Sequence, residues 1–129
     1  MSNLGEGKIT YSPVVVLKPW GWEKIWAHTD KYVGKILHIN PGHRLSKQYH
    51  EVKDETISVL SGVLRLYTTE FEIEHTMGEG MSLRIRPGLI HRFEAPAGGG
   101  PVVLLEASTP ELDDIIRLED DYDRVDEAK

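Results

Sequence analysis

The sequence predicts an all-β domain, an antiparallel sandwich or barrel made of short strands. Glycine and proline turn signals recur through the middle of the chain and divide it into pieces of about five to ten residues. These pieces are rich in valine, isoleucine, leucine and tyrosine, many of which strands favour. One of them, Phe71-Glu72-Ile73-Glu74, alternates apolar and acidic residues, as a strand with one wet face does.

This pattern predicts seven strands. They are residues 32–39, 56–60, 63–68, 71–75, 81–85, 90–95 and 102–107. Residues 1–12 are polar and contain glycine, and we expect them to be loose. Near the other end, Ser108-Thr109-Pro110-Glu111 resembles a helix start. Apolar residues follow at helical spacing, which predicts a short helical or irregular segment before the acidic end of the chain.

Length and composition favour one domain and exclude several functions. A chain of 129 residues builds one core and leaves no room for two, so we expect residues 1–129 to form a single domain. The net charge of −6 comes from residues 111–129, which hold nine acidic and three basic side chains. Without a basic stripe, the chain is not expected to bind nucleic acid. No long apolar run or leader-like start is present, so we expect a cytoplasmic protein that does not bind a membrane.

Four residues have the spacing of a metal site. Gln48 and His50 lie two residues apart and face the same side of an extended strand. Glu55 opens the next strand beyond the turn at 51–54, and His91 lies on a neighbouring strand pair. Because the chain has no cysteine, a metal has to use imidazole, carboxylate or amide ligands, and this set suits a divalent ion with a free coordination position. The alternative is a metal-free polar cluster used for packing or sugar binding, although burying these groups without a cation is costly.

The same spacing resembles the two motifs of the cupin superfamily, G-x5-H-x-H-x4-E-x6-G and G-x5-P-x-G-x2-H-x3-N. The first is matched over residues 42–62 except that Gln48 stands at the first histidine position. The second, over residues 80–95, is looser, with Arg86 at its proline and Ala95 at its asparagine. The resemblance implies a double-stranded β-helix, the jelly-roll barrel of cupins, with the four residues above as metal ligands.

A narrower resemblance covers nearly the whole chain. Four stretches are similar to the cupin domain of type II mannose-6-phosphate isomerase: Lys18-Pro19-Trp20-Gly21, Gln48-Tyr49-His50, His91-Arg92 and residues 112–122. The similarity implies a metal-dependent aldose–ketose isomerase that interconverts mannose 6-phosphate and fructose 6-phosphate, usually with zinc; iron, manganese and nickel remain open. In that family a glutamine occurs at the first ligand position, and the domain often follows a mannose-1-phosphate guanylyltransferase domain. We expect this chain to stand alone, because its length leaves no space for a nucleotidyltransferase.

The expected partner is a small sugar or sugar phosphate. Lys35, Arg84 and Arg92 are the predicted contacts of its phosphate or carboxylate group, and no residue is identified as the general base. The three tryptophans in residues 20–26 are predicted to pack in the barrel or in a dimer contact rather than to stack on a sugar. By analogy with the family, we expect a homodimer that pairs through an edge strand.

Two other functions fit the same residues. Two histidines and one carboxylate also suit iron and oxygen chemistry, so a non-haem iron dioxygenase is one alternative. A non-catalytic sugar-binding module is the other, because the sequence identifies no base. The element bound to the purified protein separates the first alternative from an isomerase, and turnover separates the second.

Overall fold

The described part of the chain folds into eleven β-strands. The computed structural model describes residues 12–69 and 73–125, with no side-chain description for residue 73. The strands, in chain order, are β1 (Val14–Lys18), β2 (Gly21–His28), β3 (Val33–Ile39), β4 (Lys47–Tyr49), β5 (Glu55–Ser61), β6 (Leu64–Thr68), β7 (Ile73–Met77), β8 (Ser82–Ile85), β9 (His91–Glu94), β10 (Val102–Ser108) and β11 (Ile116–Glu119).

The strands form two antiparallel sheets that share one core. The six-stranded sheet has the order β1-β2-β3-β10-β5-β8, and the five-stranded sheet has the order β11-β4-β9-β6-β7. From β8 onward each strand lies in the sheet opposite to its predecessor, so the chain repeatedly crosses over the core. Apolar side chains of both sheets belong to a single buried cluster. The predicted all-β barrel is therefore confirmed.

The seven predicted strands are confirmed with small shifts at their ends. They correspond to β3 and to β5 through β10. The pattern did not predict β1, β2 or β11 as strands, and it predicted β4 only as the extended segment that carries Gln48 and His50. Most residues of β2 are only partly buried, so this strand lacks the clean alternation that reveals a strand in sequence. Residues 1–11, in which a loose start is predicted, and residues 71–72 of the fourth predicted strand lie outside the described residues.

The sequence predicts a short helical or irregular segment after β10. The structure shows an irregular segment there, without a helix. The amide of Leu112 donates to the carbonyl of Pro110 at 2.8 Å, and the amide of Ile115 donates to Asp113 at 3.0 Å. Both bonds span two residues, whereas a helix needs bonds that span four. The segment then enters β11, which pairs with β4. No helix in residues 12–69 or 73–125 is long and apolar enough to cross a bilayer.

The barrel interior is apolar at one end and charged at the other. On β10, Val102 and Leu104 are buried at the apolar end, while Glu106 and Ser108 are buried at the charged end. The register places charged residues of neighbouring strands side by side, since Glu106 lies opposite Lys35 on β3. The same change from apolar to polar residues occurs along β3, β5, β6 and β9. The fold therefore collects buried polar side chains at one end, beside an apolar core that holds the sheets together.

The tryptophans lie at the start of this structure and differ in their surroundings. Trp20 is buried in the apolar core, as the packing interpretation predicts. Trp22 stacks on His38, with ring centroids 5.0 Å apart and planes 14° apart. Trp26 is about half exposed on the outer face of the six-stranded sheet.

We expect Gly62→Ala to be strongly destabilising. Gly62 has a φ of +87°, and an added Cβ would overlap the carbonyl oxygen of Pro101. The left-handed backbone alone costs roughly 1–2 kcal/mol for alanine, and the overlap adds about 1–3 kcal/mol. The control is Gly98→Ala, because Gly98 has a φ of +86° but no atom within 4 Å of an added Cβ. Equal losses of unfolding free energy in urea for the two variants would contradict the close approach at Gly62.

Candidate metal centre

Three side chains of the charged end converge on one point. His50 directly follows β4, Glu55 opens β5 and His91 opens β9. Each residue offers one possible ligand atom, and these atoms lie within 4.8 Å of one another. All three residues are 97% or more buried. The group has the composition and spacing that could hold a metal ion.

Backbone carbonyls fix the orientation of both imidazoles. The Nδ1 of His50 lies 2.6 Å from the carbonyl oxygen of Asp114, and the Nδ1 of His91 lies 3.0 Å from that of Leu89. Because a carbonyl oxygen only accepts hydrogen bonds, each Nδ1 carries the proton and each Nε2 keeps a lone pair in the neutral ring. Both Nε2 atoms are buried and lack a directed hydrogen bond within the described structure.

The protonation states at this point suit a cation. Burial lowers the pKa of His91 to about 4, so this ring is neutral at pH 7. Burial by itself raises the pKa of Glu55, but His50 and the charge of Lys53 outweigh this effect and hold the pKa well below its usual value. The Glu55 Oε2 lies 2.7 Å from the His50 Nε2. With the Nδ1 proton of His50 directed at the carbonyl of Asp114, this short distance is favourable when a proton or a cation lies at the Nε2.

Gln48 lies beside this group on the inner face of the five-stranded sheet. It is paired with His91 across β4 and β9, so the two side chains share a face. The Ser46 hydroxyl donates to the Gln48 Oε1 at 2.6 Å. An amide oxygen has a second lone pair, which this hydrogen bond leaves available. Gln48 also lines the same cavity as Glu55.

Two buried ion pairs extend the site into this cavity. Lys53 Nζ lies 3.1 Å from Glu106 Oε2 and 3.8 Å from Glu55 Oε2, and Lys35 Nζ lies 3.2 Å from Glu23 Oε2. Burial and the nearby charge of Glu55 raise the pKa of Glu106, in spite of Lys53. The pKa of Lys53 is raised as well, because Glu106 and Glu55 outweigh its burial.

The structure separates the three predicted substrate contacts. Lys35 lines the cavity. Arg92 follows His91 directly in a strand and so points to the opposite face, where it donates to the carbonyl of Leu45 at 2.8 Å. Arg84 is exposed on β8 and forms a two-bond contact with Asp54, at 3.0 and 2.7 Å. Arg84 and Arg92 thus lie away from the predicted site, whereas Lys35 belongs to it.

Several residues of the cavity were not identified from the sequence. Glu106 had a detectable signal, because a glutamate interrupts the apolar strand 102–107 at an inward position. Lys53 lies in the predicted turn 51–54, where nothing in the sequence distinguishes an inward lysine from a solvated one. Three further cations line the cavity: Lys18, Arg117 and Arg124. The first two lie on β1 and β11, which were not predicted as strands, and Arg124 lies after β11.

Two antiparallel sheets that enclose a His, His, Glu group at one end define the class of the protein, a cupin barrel or double-stranded β-helix. The polyketide cyclase RemF from Streptomyces resistomycificus shares the fold with a TM-score of 0.71 and 18% identity, over 81% of this chain and 75% of that one. An uncharacterized conserved protein with a double-stranded β-helix domain from Klebsiella pneumoniae gives a TM-score of 0.65 and 18% identity, over 83% and 84%. At such identities the likeness concerns the fold alone.

Sequence comparison places the chain within this class. The family model described as mannose-6-phosphate isomerase C-terminal matches residues 7–120, and the chain belongs to that family. The mannose-1-phosphate guanylyltransferase ManC of Salmonella typhimurium is 35% identical over 113 residues, which cover 85% of this chain. They cover 23% of ManC, so the chain spans less than a quarter of the length of this relative.

We expect Asp114→Ala to destabilise the protein through the loop between His50 and Glu55. The Asp114 carboxylate accepts hydrogen bonds from the amides of residues 51, 52 and 53, at 3.0, 2.7 and 2.8 Å. Leaving these amides without their acceptor lowers the free energy of unfolding by about 2–4 kcal/mol. The matched control is Asp113→Ala, because Asp113 is exposed, and its loss should stay within about 0.5 kcal/mol. Similar values for both variants in chemical denaturation would contradict the role of the carboxylate.

Proposed function

We propose that Gln48, His50, Glu55 and His91 bind one divalent cation. The observation that carries this proposal is the pair of buried Nε2 lone pairs beside an ionised carboxylate, with ligand atoms within 4.8 Å. Gln48 is added because it shares a face with His91 and keeps a free lone pair on its amide oxygen. Imidazole, carboxylate and amide donors suit zinc best, and they also accept iron, manganese or nickel.

We further propose that the loaded site isomerises a phosphorylated hexose between its aldose and ketose forms, as mannose 6-phosphate and fructose 6-phosphate interconvert. The family description and the mannose-1-phosphate guanylyltransferase relatives support a mannose phosphate as ligand. A bound divalent ion supplies Lewis-acid polarisation of the sugar oxygens. The chain itself supplies a cavity in which charged groups are largely withdrawn from water, so that their positions are fixed before the substrate enters.

The reaction also needs a group that removes a proton from one carbon and returns it to the next. Glu106 is our candidate, because it lines the cavity, is buried, and lies 3.1 Å from Lys53 through its Oε2. Lys53 joins Glu106 to Glu55 and can stabilise the carboxylate after each proton is returned. Glu23, the other carboxylate of the lining outside the metal group, is paired with Lys35.

We propose that the chain forms a homodimer through the edge strand β1. β1 lies at the edge of the six-stranded sheet and exposes Val14, Val15 and Leu17. An exposed apolar edge strand supports pairing with a second copy.

Metal content tests the first proposal. We expect protein purified without chelators to hold about one divalent ion per chain, by elemental analysis. Chelation should lower its melting temperature, because a ligand that binds only the folded state stabilises that state. Glu55→Gln and His91→Ala should lose the ion, while His28→Ala, a histidine outside the group, should keep it. Full metal content in Glu55→Gln and His91→Ala would refute the site, and iron with oxygen consumption would favour a dioxygenase.

Turnover tests the second proposal. We expect conversion of mannose 6-phosphate to fructose 6-phosphate in a coupled assay, with activity that follows metal content. Glu106→Gln should keep its metal and lower kcat by about 10²–10⁴-fold, the usual contribution of a positioned base. The control Glu74→Gln, on the strand β7 and exposed, should leave kcat unchanged. Inactivity of the wild type with zinc, iron, manganese and nickel would remove the isomerase and leave a sugar-binding module.

A further inference from the structure

The cavity beside the metal group has a second set of charges that the proposed chemistry does not use. Lys18 at the end of β1, Arg117 on β11 and Arg124 beyond β11 all line it. They come from segments about 100 residues apart in the sequence, and the fold brings them to one cavity wall. These three cations are therefore candidates for contact with a ligand of the cavity.

The register of the five-stranded sheet puts Arg117 next to the proposed metal ligands. Arg117 is paired with Gln48 across β11 and β4, and Gln48 is paired with His91 across β4 and β9. Directly opposed residues on antiparallel strands share a face, with neighbouring Cβ atoms about 4.5–5.5 Å apart. Arg117 is therefore two strand spacings from His91 along one row of inner-face side chains.

Lys18 faces the same space from the other sheet. Its pKa is lowered first by burial, then by the nearby cations Lys35 and Arg117, against a raising effect of Glu23. Like charges are thus held close together at a position where burial already disfavours charge. A group that brings negative charge between them would relieve both costs.

Arg124 is fixed in place by its own partner. Its guanidinium donates to the two carboxylate oxygens of Asp120, at 2.8 and 3.0 Å. The Asp120 side chain is fully buried, so this pair is a rigid part of the wall. We therefore assign Arg124 to the frame of the cavity.

The charge balance of the cavity favours an anion. Its lining carries five lysine or arginine residues and three glutamates, although the whole chain has a net charge of −6. A divalent ion at His50 and Glu55 would increase this local positive charge further. An excess of positive charge in the lining of a cavity attracts anionic ligands even when the whole chain is negative.

We propose that Lys18 and Arg117 form a subsite for the phosphate group of a sugar phosphate whose sugar end reaches the metal group. Arginine binds phosphate oxygens through two parallel N–H donors, and lysine adds a mobile charge. The sugar part of this assignment rests on the proposed function. The anion part rests on Lys18, Arg117 and the register alone.

Binding without turnover tests the subsite. Calorimetry on metal-loaded protein would compare mannose 6-phosphate, unphosphorylated mannose, mannuronate and inorganic phosphate. We expect Lys18→Gln and Arg117→Gln each to lower the affinity for mannose 6-phosphate by about 10- to 100-fold, the usual loss of one charged contact. The metal content and the weak binding of mannose should stay unchanged. Arg117→Lys should recover part of the affinity. The controls are Lys24→Gln and Arg65→Gln, which remove cations that do not line the cavity.

The outcomes separate this inference from the isomerase. Lys18-dependent binding of mannose 6-phosphate without turnover supports the subsite and removes the isomerase. Turnover with unaltered affinity in Lys18→Gln and Arg117→Gln overturns the subsite and keeps the isomerase. Three other results also overturn the subsite. One is that the variants bind mannose and mannose 6-phosphate more weakly by the same factor. The others are that the wild type binds mannuronate more tightly than mannose 6-phosphate, or that it binds no phosphate compound. Thermal unfolding of each variant verifies that a lost affinity is not a lost fold.

Discussion

The pairing of buried charges is the constraint on which this barrel depends. An ionised side chain withdrawn from water is costly unless an opposite charge or a directed hydrogen bond accompanies it. At the charged end, Glu106 and Glu23 each have a lysine within 3.2 Å, and Lys53 also lies near Glu55. Glu23 and Lys35 lie on the neighbouring strands β2 and β3, whereas Lys53 reaches Glu106 from the loop between β4 and β5. The Nε2 of His91 stands out against this background because the described structure gives it no directed partner, and the Nε2 of His50 has the Glu55 carboxylate 2.7 Å away.

The segment after β10 completes the site from outside the motif that first indicated it. The carbonyl of Asp114 holds the ring of His50, and its carboxylate binds the loop that joins His50 to Glu55. Three residues further on, Arg117 takes its place beside Gln48. Residues 114–117 thereby orient His50, support the loop between His50 and Glu55, and add the Arg117 cation to the cavity wall.

The sequence allowed most strands and the convergent group to be predicted, and physical reasons explain the rest. Alternation and turn residues identify a strand only where one face is wet, which left partly buried β2 undetected. Apolar residues at 112, 115 and 116 fit a helix equally well until the pairing of β11 with β4 is known. Arg92 is adjacent to His91 in sequence yet lies on the opposite face, because successive strand residues alternate. Which residues line the cavity depends on the register between strands. Strands far apart in the sequence set this register, so the sequence pattern alone does not reveal it.

The lengthwise change from apolar to polar residues inside the barrel has an evolutionary consequence. Residues that keep the chain folded and residues that could react occupy different halves of the same strands, as Leu104 and Glu106 do on β10. Mutations at the reactive half can alter which molecules are recognised or transformed without removing the packing that maintains the scaffold. Such a division makes the architecture adaptable: new chemistry can arise by exchanging a few inward side chains near one rim.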